Sequence, residues 1–404
     1  VSKWRDSTLG GEIELLYGKA LPAHVRAPGD FVVYGSNGPV GVHDVGLIDG
    51  PGIIVGRKGS VGEVVYSSER FWPIDTTYYV KNRSGLDWRY LYHLLGASGL
   101  TKLNSHSAVP GLNRADAYSI PVRVPPPSTQ VDIARVLDCL SSAVELETRT
   151  LRAAEDLVNA TISVSFGVGL NGGAMQETSI GPIPVGWELR TISELCEIWS
   201  GGTPRKSVPE FWVGEIPWVS GKDLKRPVIA DAIDHISEAA VDAGSRLAPE
   251  GAVLLLVRGM GLAKDLPVAT VARPMAFNQD VKALVLKGAY SSYPGRLLRS
   301  AIYAGRARML SQIVPSAHGT MTLNLNDVET FEVAWPTDIH EAMAVVAAAD
   351  AGEHKVAVHR RRVAVLEQLL AALADGLLSE AIDVRDVDLS MLSHVDQGLE
   401  EALV

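Results

Sequence analysis

Thr129–Phe166 reads TQVDIARVLDCLSSAVELETRTLRAAEDLVNATISVSF, and Asp338–Asp375, DIHEAMAVVAAADAGEHKVAVHRRRVAVLEQLLAALAD, is a second run of the same length at a constant offset of 209 residues. Each run follows a proline that cannot continue a preceding element, Pro127 and Pro336. Each opens on a capping residue with an acid three residues on: Thr129 with Asp132, Asp338 with Glu341. Each ends at a glycine suited to a helix C-terminus, Gly167 and Gly376. In the first run Ile133, Leu137, Leu140, Val144, Leu151, Ala154 and Val158 fall near the four-three spacing of a coiled-coil seam, interrupted at Glu147. The second run carries a seam through Val345, Ala349, Gly352, Val356, His359, Val363, Leu366, Leu370, Leu373 and Leu377. The spacing predicts two helices of about 57 Å that bury their stripes on each other as an antiparallel strut.

Working outward, a chain of 404 residues exceeds what one hydrophobic core usually holds, so two or more domains are expected. The 47% hydrophobic and 21% charged composition is that of a folded protein. No apolar run approaches the roughly 18 residues of a membrane span, and the first residues show no leader pattern. A cytoplasmic protein without membrane contact is therefore expected. Cys139 and Cys196 are too few for a disulfide framework or a zinc site and read as reduced and structural. The net charge of −10 argues against a simple nucleic-acid binder. Yet residues 281–326 hold no Asp or Glu and six cations, Lys282, Lys287, Arg296, Arg299, Arg306 and Arg308, which reads as a local basic surface or as an ordinary solvated face.

Residues 1–126 show short β-type runs (31–34, 52–55, 63–66, 76–80) between glycine turns, and helical stretches at 88–95 and 99–103, which predicts a compact β or α+β globule. The turns Gly35-Ser36-Asn37-Gly38 and Gly56-Arg57-Lys58-Gly59-Ser60-Val61-Gly62 can bring backbone N–H groups close to a phosphate or a groove, or simply close hairpins. Residues 167–173 formally match G-x-G-x-x-G, but a dinucleotide fingerprint must follow a strand and open a helix, so this stretch reads as a linker.

A second globule starts as the first does, Gly186-Trp187-Glu188-Leu189 echoing Lys3-Trp4-Arg5-Asp6. Residues 256–261 and 276–280 then echo, in order, the Arg57–Gly62 turn and Trp72–Asp75. The second copy is 26 residues longer between tryptophan and helix, as two versions of one module with different loops would be. No Walker A, H-E-x-x-H, G-x-S-x-G, methyltransferase or nuclease signature stands in a convincing context, so the chain reads as non-catalytic by itself.

The order globule, long helix, globule, long helix resembles the specificity subunit of Type I restriction-modification enzymes. The motifs that carry the likeness are Gly201-Gly202-Thr203-Pro204, the G-x-I-P-W-V-S-G-K-D-L stretch of 214–224, and the Pro-x-x-Gln-x-x-Ile-Ala helix start of Pro127, Gln130, Ile133 and Ala134. Residues 34–38, 53–62 and 71–80 of the first globule also look family-like. The second helix start departs from the pattern, with Ile339 where the family has Gln.

The resemblance implies an α+β fold with two target recognition domains, each followed by a long helix, the helices forming an antiparallel coiled-coil spacer. It places target recognition domain 1 at 1–126, spacer helix 1 at 127–167, a linker at 168–183, target recognition domain 2 at 184–335, spacer helix 2 at 336–383 and a tail at 384–404. The implied partners are double-stranded DNA, two methyltransferase subunits docked on the helices, and restriction/translocase subunits. S-adenosylmethionine, ATP and Mg would belong to those partners, with no cofactor or metal in this chain. Each globule would read one half of a bipartite, asymmetric site. A related Type IIB-like system, or a protein-only scaffold, is the alternative.

The candidate DNA-binding residues are polar groups of the loops. They are Ser36, Asn37, Arg57, Lys58, Ser60 and Asn113 in the first globule, and Thr203, Arg205, Lys206, Lys222, Arg258, Lys264, Asn278, Gln279 and His318 in the second. Arg and Lys can donate to guanine O6 and N7, and Asn or Gln can pair with adenine.

Overall fold

The computed structural model describes residues 3–104, 111–170, 172–316 and 319–387. It divides into two compact units, Val1–Arg149 with Arg360–Val404, and Thr150–His359.

In the first unit the strand Arg5–Thr8 pairs antiparallel with Pro121–Val124, so the globule's beginning is tied to its end. Thr8 caps a single helical turn, Leu9–Glu12, by accepting from the Gly11 amide, and the chain then enters a four-stranded antiparallel sheet. Its order is Ile13–Tyr17, Thr77–Asn82, Gly52–Gly56, Val64–Ser67. Gly52–Gly56 lies inside the sheet and is buried at every residue, which is why it reads as a continuous apolar run rather than an alternation. Beside it Gly38–His43, Phe31–Gly35 and Phe71–Pro73 form a three-stranded sheet. The helix Trp88–Ala97, capped by the Asp87 carboxylate on the Arg89 and Tyr90 amides, buries Tyr90, Leu91, Leu94 and Leu95 at helical spacing.

The second unit repeats this plan. Trp187–Thr191 pairs with Glu332–Pro336, and Thr191 with Glu194 closes a capping box on Ile192–Leu195. A sheet then follows in the matching order Cys196–Ser200, Val281–Leu286, Val253–Leu256, Val268–Val271. One further strand, Val228–Ile229, is added parallel to the last of these. A second sheet contains the parallel pair Ile216–Val219 and Met275–Phe277, the counterpart of Phe31–Gly35 and Phe71–Pro73. The fold is α+β in both units, and the duplication extends to strand order and register.

Two long helices, Pro127–Gly167 and Ile339–Leu378, run through the ends of these modules. In the first unit the early half of one, with Ile133, Ala134, Val136 and Leu137 buried, shares a core with Leu370, Leu373, Leu377 and Leu378 from the late half of the other. In the second unit the late half, Val158, Ile162 and Phe166, shares a core with Ala342, Val345, Val346, Ala349 and Val356. The pairing is antiparallel in each. Gly352 is needed at this seam, because a Cβ there would stand 2.6 Å from Val158 Cγ2.

The first helix has the expected span of 127–167, but its capping and the ends of the second differ from the expectation. The first begins at Pro127, two residues before Thr129, and its buried Gln130 accepts from the Asp87 amide (2.8 Å) and donates to the Pro125 carbonyl (2.9 Å). Proline tolerates the first helical position because the amide it lacks would be unpaired there. Asp338 does cap, accepting from the His340 amide at 2.9 Å. Only one of the two predicted stop glycines ends its helix. Gly167 is the last helical residue and the left-handed residue is Gly169 (φ +73°). Gly376 lies inside the second helix, its missing side chain making room for Ile382 as the chain turns back. The stretch expected to be a linker contains a hairpin, Met175–Thr178 with Gly181–Pro184. No helix among the described residues is long and apolar enough to cross a membrane.

Neither cysteine is in a disulfide, and burial pushes the Cys196 thiol up to about 12, which keeps it protonated and inert. The expected basic surface in 281–326 is largely spent on structure. Arg296 and Arg299 pair with Asp350 and Glu353 of the second long helix, and Lys287 donates to the Ser193 carbonyl. Arg308 lies over Phe331 and donates to the Glu332 carbonyl. A count of charges along the sequence missed these acids because they come from an element more than forty residues away.

Candidate nucleic-acid interface

In the first unit the strands Ile13–Tyr17 and Thr77–Asn82 end on a registered pair, Tyr17 opposite Tyr78, with ring centroids 5.1 Å apart. Tyr78 is buried and pushed up to about 12, chiefly by desolvation, whereas the Tyr17 ring is 54% exposed. The turn 56–62 starts beside this pair, and both the Arg57 and Lys58 amides donate to the Thr76 carbonyl. Gly56 has to be glycine. A Cβ there would meet the carbonyl oxygens of Ser60 at 2.0 Å and Ser36 at 2.9 Å, so the two glycine turns abut. Arg57 directs Nε and Nη2 to the Asp75 carbonyl (3.1 and 2.6 Å), and its Cζ sits 5.3 Å from the Tyr17 centroid.

Ser36, Asn37, Arg57, Lys58 and Ser60 thus come together, with Asn37 and Lys58 exposed. Asn113 lies next to them through the Leu112 amide, which donates to the Arg57 carbonyl at 2.9 Å. Its Oδ1 accepts from the Ala115 amide and caps the helix Arg114–Tyr118. Sequence reasoning passed over Tyr17 and Arg114, whose Cζ lies 4.8 Å from the Tyr17 centroid. Their one signal was an aromatic at a strand end, in Tyr17-Gly18.

In the second unit the Gly-Gly-Thr-Pro stretch has a steric cause. A Cβ on Gly201 would stand 2.2 Å from the Phe277 carbonyl oxygen, and the Gly202 carbonyl accepts from Trp218 Nε1 at 3.0 Å. That close approach delivers Thr203 to Gln279, and the two side chains hydrogen-bond. Lys282 donates to Ser200 Oγ at 2.9 Å and to the Gln279 carbonyl at 3.4 Å, completing an exposed polar cluster. Neither Ser200 nor Lys282 was among the candidate DNA-binding residues, although Lys282 belongs to the cation run of 281–326.

Other candidates separate into tied and untied groups. Asn278 is buried, its Oδ1 accepting from the Asp280 amide, and so it shapes the turn. Lys222 is tied to Asp234 at 2.7 Å. Arg205, Lys206, Arg258 and Lys264 are exposed, with no side-chain partner among the described residues. Arg246, absent from the sequence expectation, lies over the Trp199 ring at 3.8 Å. His318 lies outside the described residues.

Superposing the two patterns by hydrogen bonding gives residue equivalences. Arg57 and Lys58 donate their amides to Thr76, as Val257 and Arg258 donate theirs to Asp280, and Leu112 meets Arg57 as Leu323 meets Val257. Tyr17 opposite Tyr78 corresponds to Ser200 opposite Lys282. Asn113, before the helix Arg114–Tyr118, corresponds to Asn324, before Leu325–Glu329. The same three scaffold positions therefore carry Tyr17, Arg57 and Arg114 in one module, and Ser200, Val257 and Leu325 in the other.

Comparison with known proteins bears on both modules. The model of the Type I restriction modification DNA specificity domain matches twice, over residues 2–156 and 184–337. The chain is 39% identical over 100 residues to the Escherichia coli type I restriction enzyme EcoR124I/EcoR124II specificity subunit, an overlap of 24% of this chain and 25% of that one. It is 28% identical over 173 residues to the MjaIX specificity subunit of Methanocaldococcus jannaschii, covering 40% and 37% of the two chains. These alignments thus span well under half of the curated relatives' lengths. In fold it is similar to the type I restriction-modification S subunit from M. genitalium, with a TM-score of 0.60 at 14% identity over 93% of this chain and 96% of that one.

Proposed function

Because the chain belongs to the Type I restriction modification DNA specificity family, we propose that it is the subunit that selects the DNA sequence on which a restriction-modification complex acts. The observation that carries this reading is the double match of one recognition module, each copy built on half of an antiparallel helix pair. Each module reads one half of a bipartite site, and the difference in side chains at equivalent positions makes the halves different sequences. The helix pair fixes the gap between them, as protein geometry fixes half-site spacing in other DNA readers.

The chain contributes recognition and assembly rather than bond chemistry. Methyltransferase subunits, two of them by the duplication, dock on the long helices, and restriction/translocase subunits join them. S-adenosylmethionine, ATP and Mg belong to those partners. Partner subunits also supply much of the phosphate neutralisation that a chain of net charge −10 lacks. The exposed, untied cations Lys58, Arg205, Lys206, Arg258 and Lys264 are the candidates for this chain's own backbone contacts, and Thr203, Gln279, Ser36, Asn37 and Ser60 for contacts in the grooves.

The test is to co-express the full chain with its neighbouring subunits in a methylation-free host and sequence the modified DNA. A single bipartite, asymmetric methylated sequence is expected. Methylation without sequence preference, or of one uninterrupted sequence, would reject the reading.

A further inference from the structure

The equivalences between the modules sort their loop residues by what each can contact. DNA presents the same phosphates to both modules but different bases, so a phosphate contact should survive as a cation in both copies, whereas a base contact is free to change chemistry. Lys58 and Arg258 occupy equivalent positions, and both are exposed cations. Arg114 instead corresponds to Leu325, which is 43% exposed and can offer no hydrogen bond to a phosphate. Arg57 likewise corresponds to Val257.

Resting on the function proposed above, we infer that Arg114 is a base-reading residue of the first module, directed to a guanine, with Tyr17 and Arg57 as its positioning residues. The guanidinium lies over the exposed Tyr17 ring at 4.8 Å, and a single long contact, Nη1 to the Leu15 carbonyl at 3.4 Å, holds its rear. Its remaining donors have no partner among the described residues. A planar fork of donors without acceptors matches O6 and N7 of guanine, and stacking on a ring fixes the plane in which it is presented. Arg57 reaches the same ring but spends two nitrogens on the Asp75 carbonyl, so it holds Tyr17 rather than reads. In the second module Leu325 leaves the equivalent position to apolar contact, the chemistry of a thymine methyl.

The experiment is selection from randomised duplexes, using the full chain with its co-expressed partners, and variants checked for an unchanged melting transition. Wild type is expected to enrich a bipartite site with a guanine at one position of the first half. Arg114→Ala and Arg114→Lys should each lose preference at that position alone, by roughly 5- to 150-fold, because lysine keeps the charge but not the fork. Lys58→Ala should weaken binding evenly across sequences and lower the salt slope by about one. If Arg114→Lys keeps the full consensus, or Arg114→Ala only lowers affinity uniformly, Arg114 is a phosphate contact and the inference fails while the function stands. If wild type enriches no sequence, the function reading itself fails and takes this inference with it.

Discussion

Gln130 shows how a single side chain can join three elements. Its amide is buried, and it satisfies both the Asp87 amide, where Trp88–Ala97 begins, and the Pro125 carbonyl, where the strand ends. Gln130→Ala strands a donor and an acceptor away from water, at about 1–3 kcal/mol each for unsatisfied buried groups. A loss of at least about 2 kcal/mol in urea unfolding is expected, and Gln130→Glu, which keeps only the acceptor, should fall between. Nearby, Asp138 on the same helix meets His93 (2.6 Å) and Arg89 of Trp88–Ala97. Burial pushes the Asp138 carboxyl up, but hydrogen bonds from His93 and Arg89 outweigh it and hold it below the usual carboxylate range. A depressed folded pKa contributes stability above the unfolded value of about 3.9, and that stability is lost as pH falls through the lower folded value. Unfolding of Asp138→Asn followed between about pH 5 and pH 2 should therefore show a shallower acid loss than wild type, and equal slopes would contradict the assignment.

At the scale of elements, the long helices were legible because their four-three spacing survives single exceptions, whereas the end of the second was not. Gly167 and Gly376 look like stops in a one-dimensional reading, but Gly376 is explained by Ile382, a contact that exists only once the chain has turned back. The basic segment failed for the same reason, since Asp350 and Glu353 are invisible from residues 281–326. Burial pushes Glu353 above the usual range while lowering Arg299, so this pair serves position more than stability. The seam offers a sharper test at Gly352. In an isolated helix Gly→Ala gains about 1 kcal/mol, yet here the added Cβ would stand 2.6 Å from Val158 Cγ2. Gly352→Ala is expected to destabilise by about 1–2 kcal/mol through overpacking. The double variant with Val158→Ala should recover part of that loss, and additive effects in the cycle would show that the two residues do not touch.

For the whole molecule, the duplication was readable from the paired helices and the Trp4 and Trp187 echoes, but the candidate interface was only half readable. Polar turns announced Arg57, Lys58, Thr203 and Gln279. Tyr17, Ser200 and Lys282 are brought in by strand register and Arg114 by packing on the Tyr17 ring, neither of which a local pattern encodes. If the helix pair is the ruler between half-sites, as proposed, its length should set the gap. The helices are antiparallel in each unit, with Arg362 near Glu147 and Gly352 against Val158, so residues added to one helix must be matched in the other. Four residues inserted after Arg149, and four after His359, add roughly 6 Å and about one turn to each, nearly preserving the direction in which the seams face. At 3.4 Å per base pair the methylated site should keep both half-sequences and lengthen its gap by about two base pairs. A model in which both modules contact one continuous sequence requires the insertion to abolish recognition instead. Methylome sequencing separates the two, and retained methylation with an unchanged gap would show that something other than the helix pair sets the spacing.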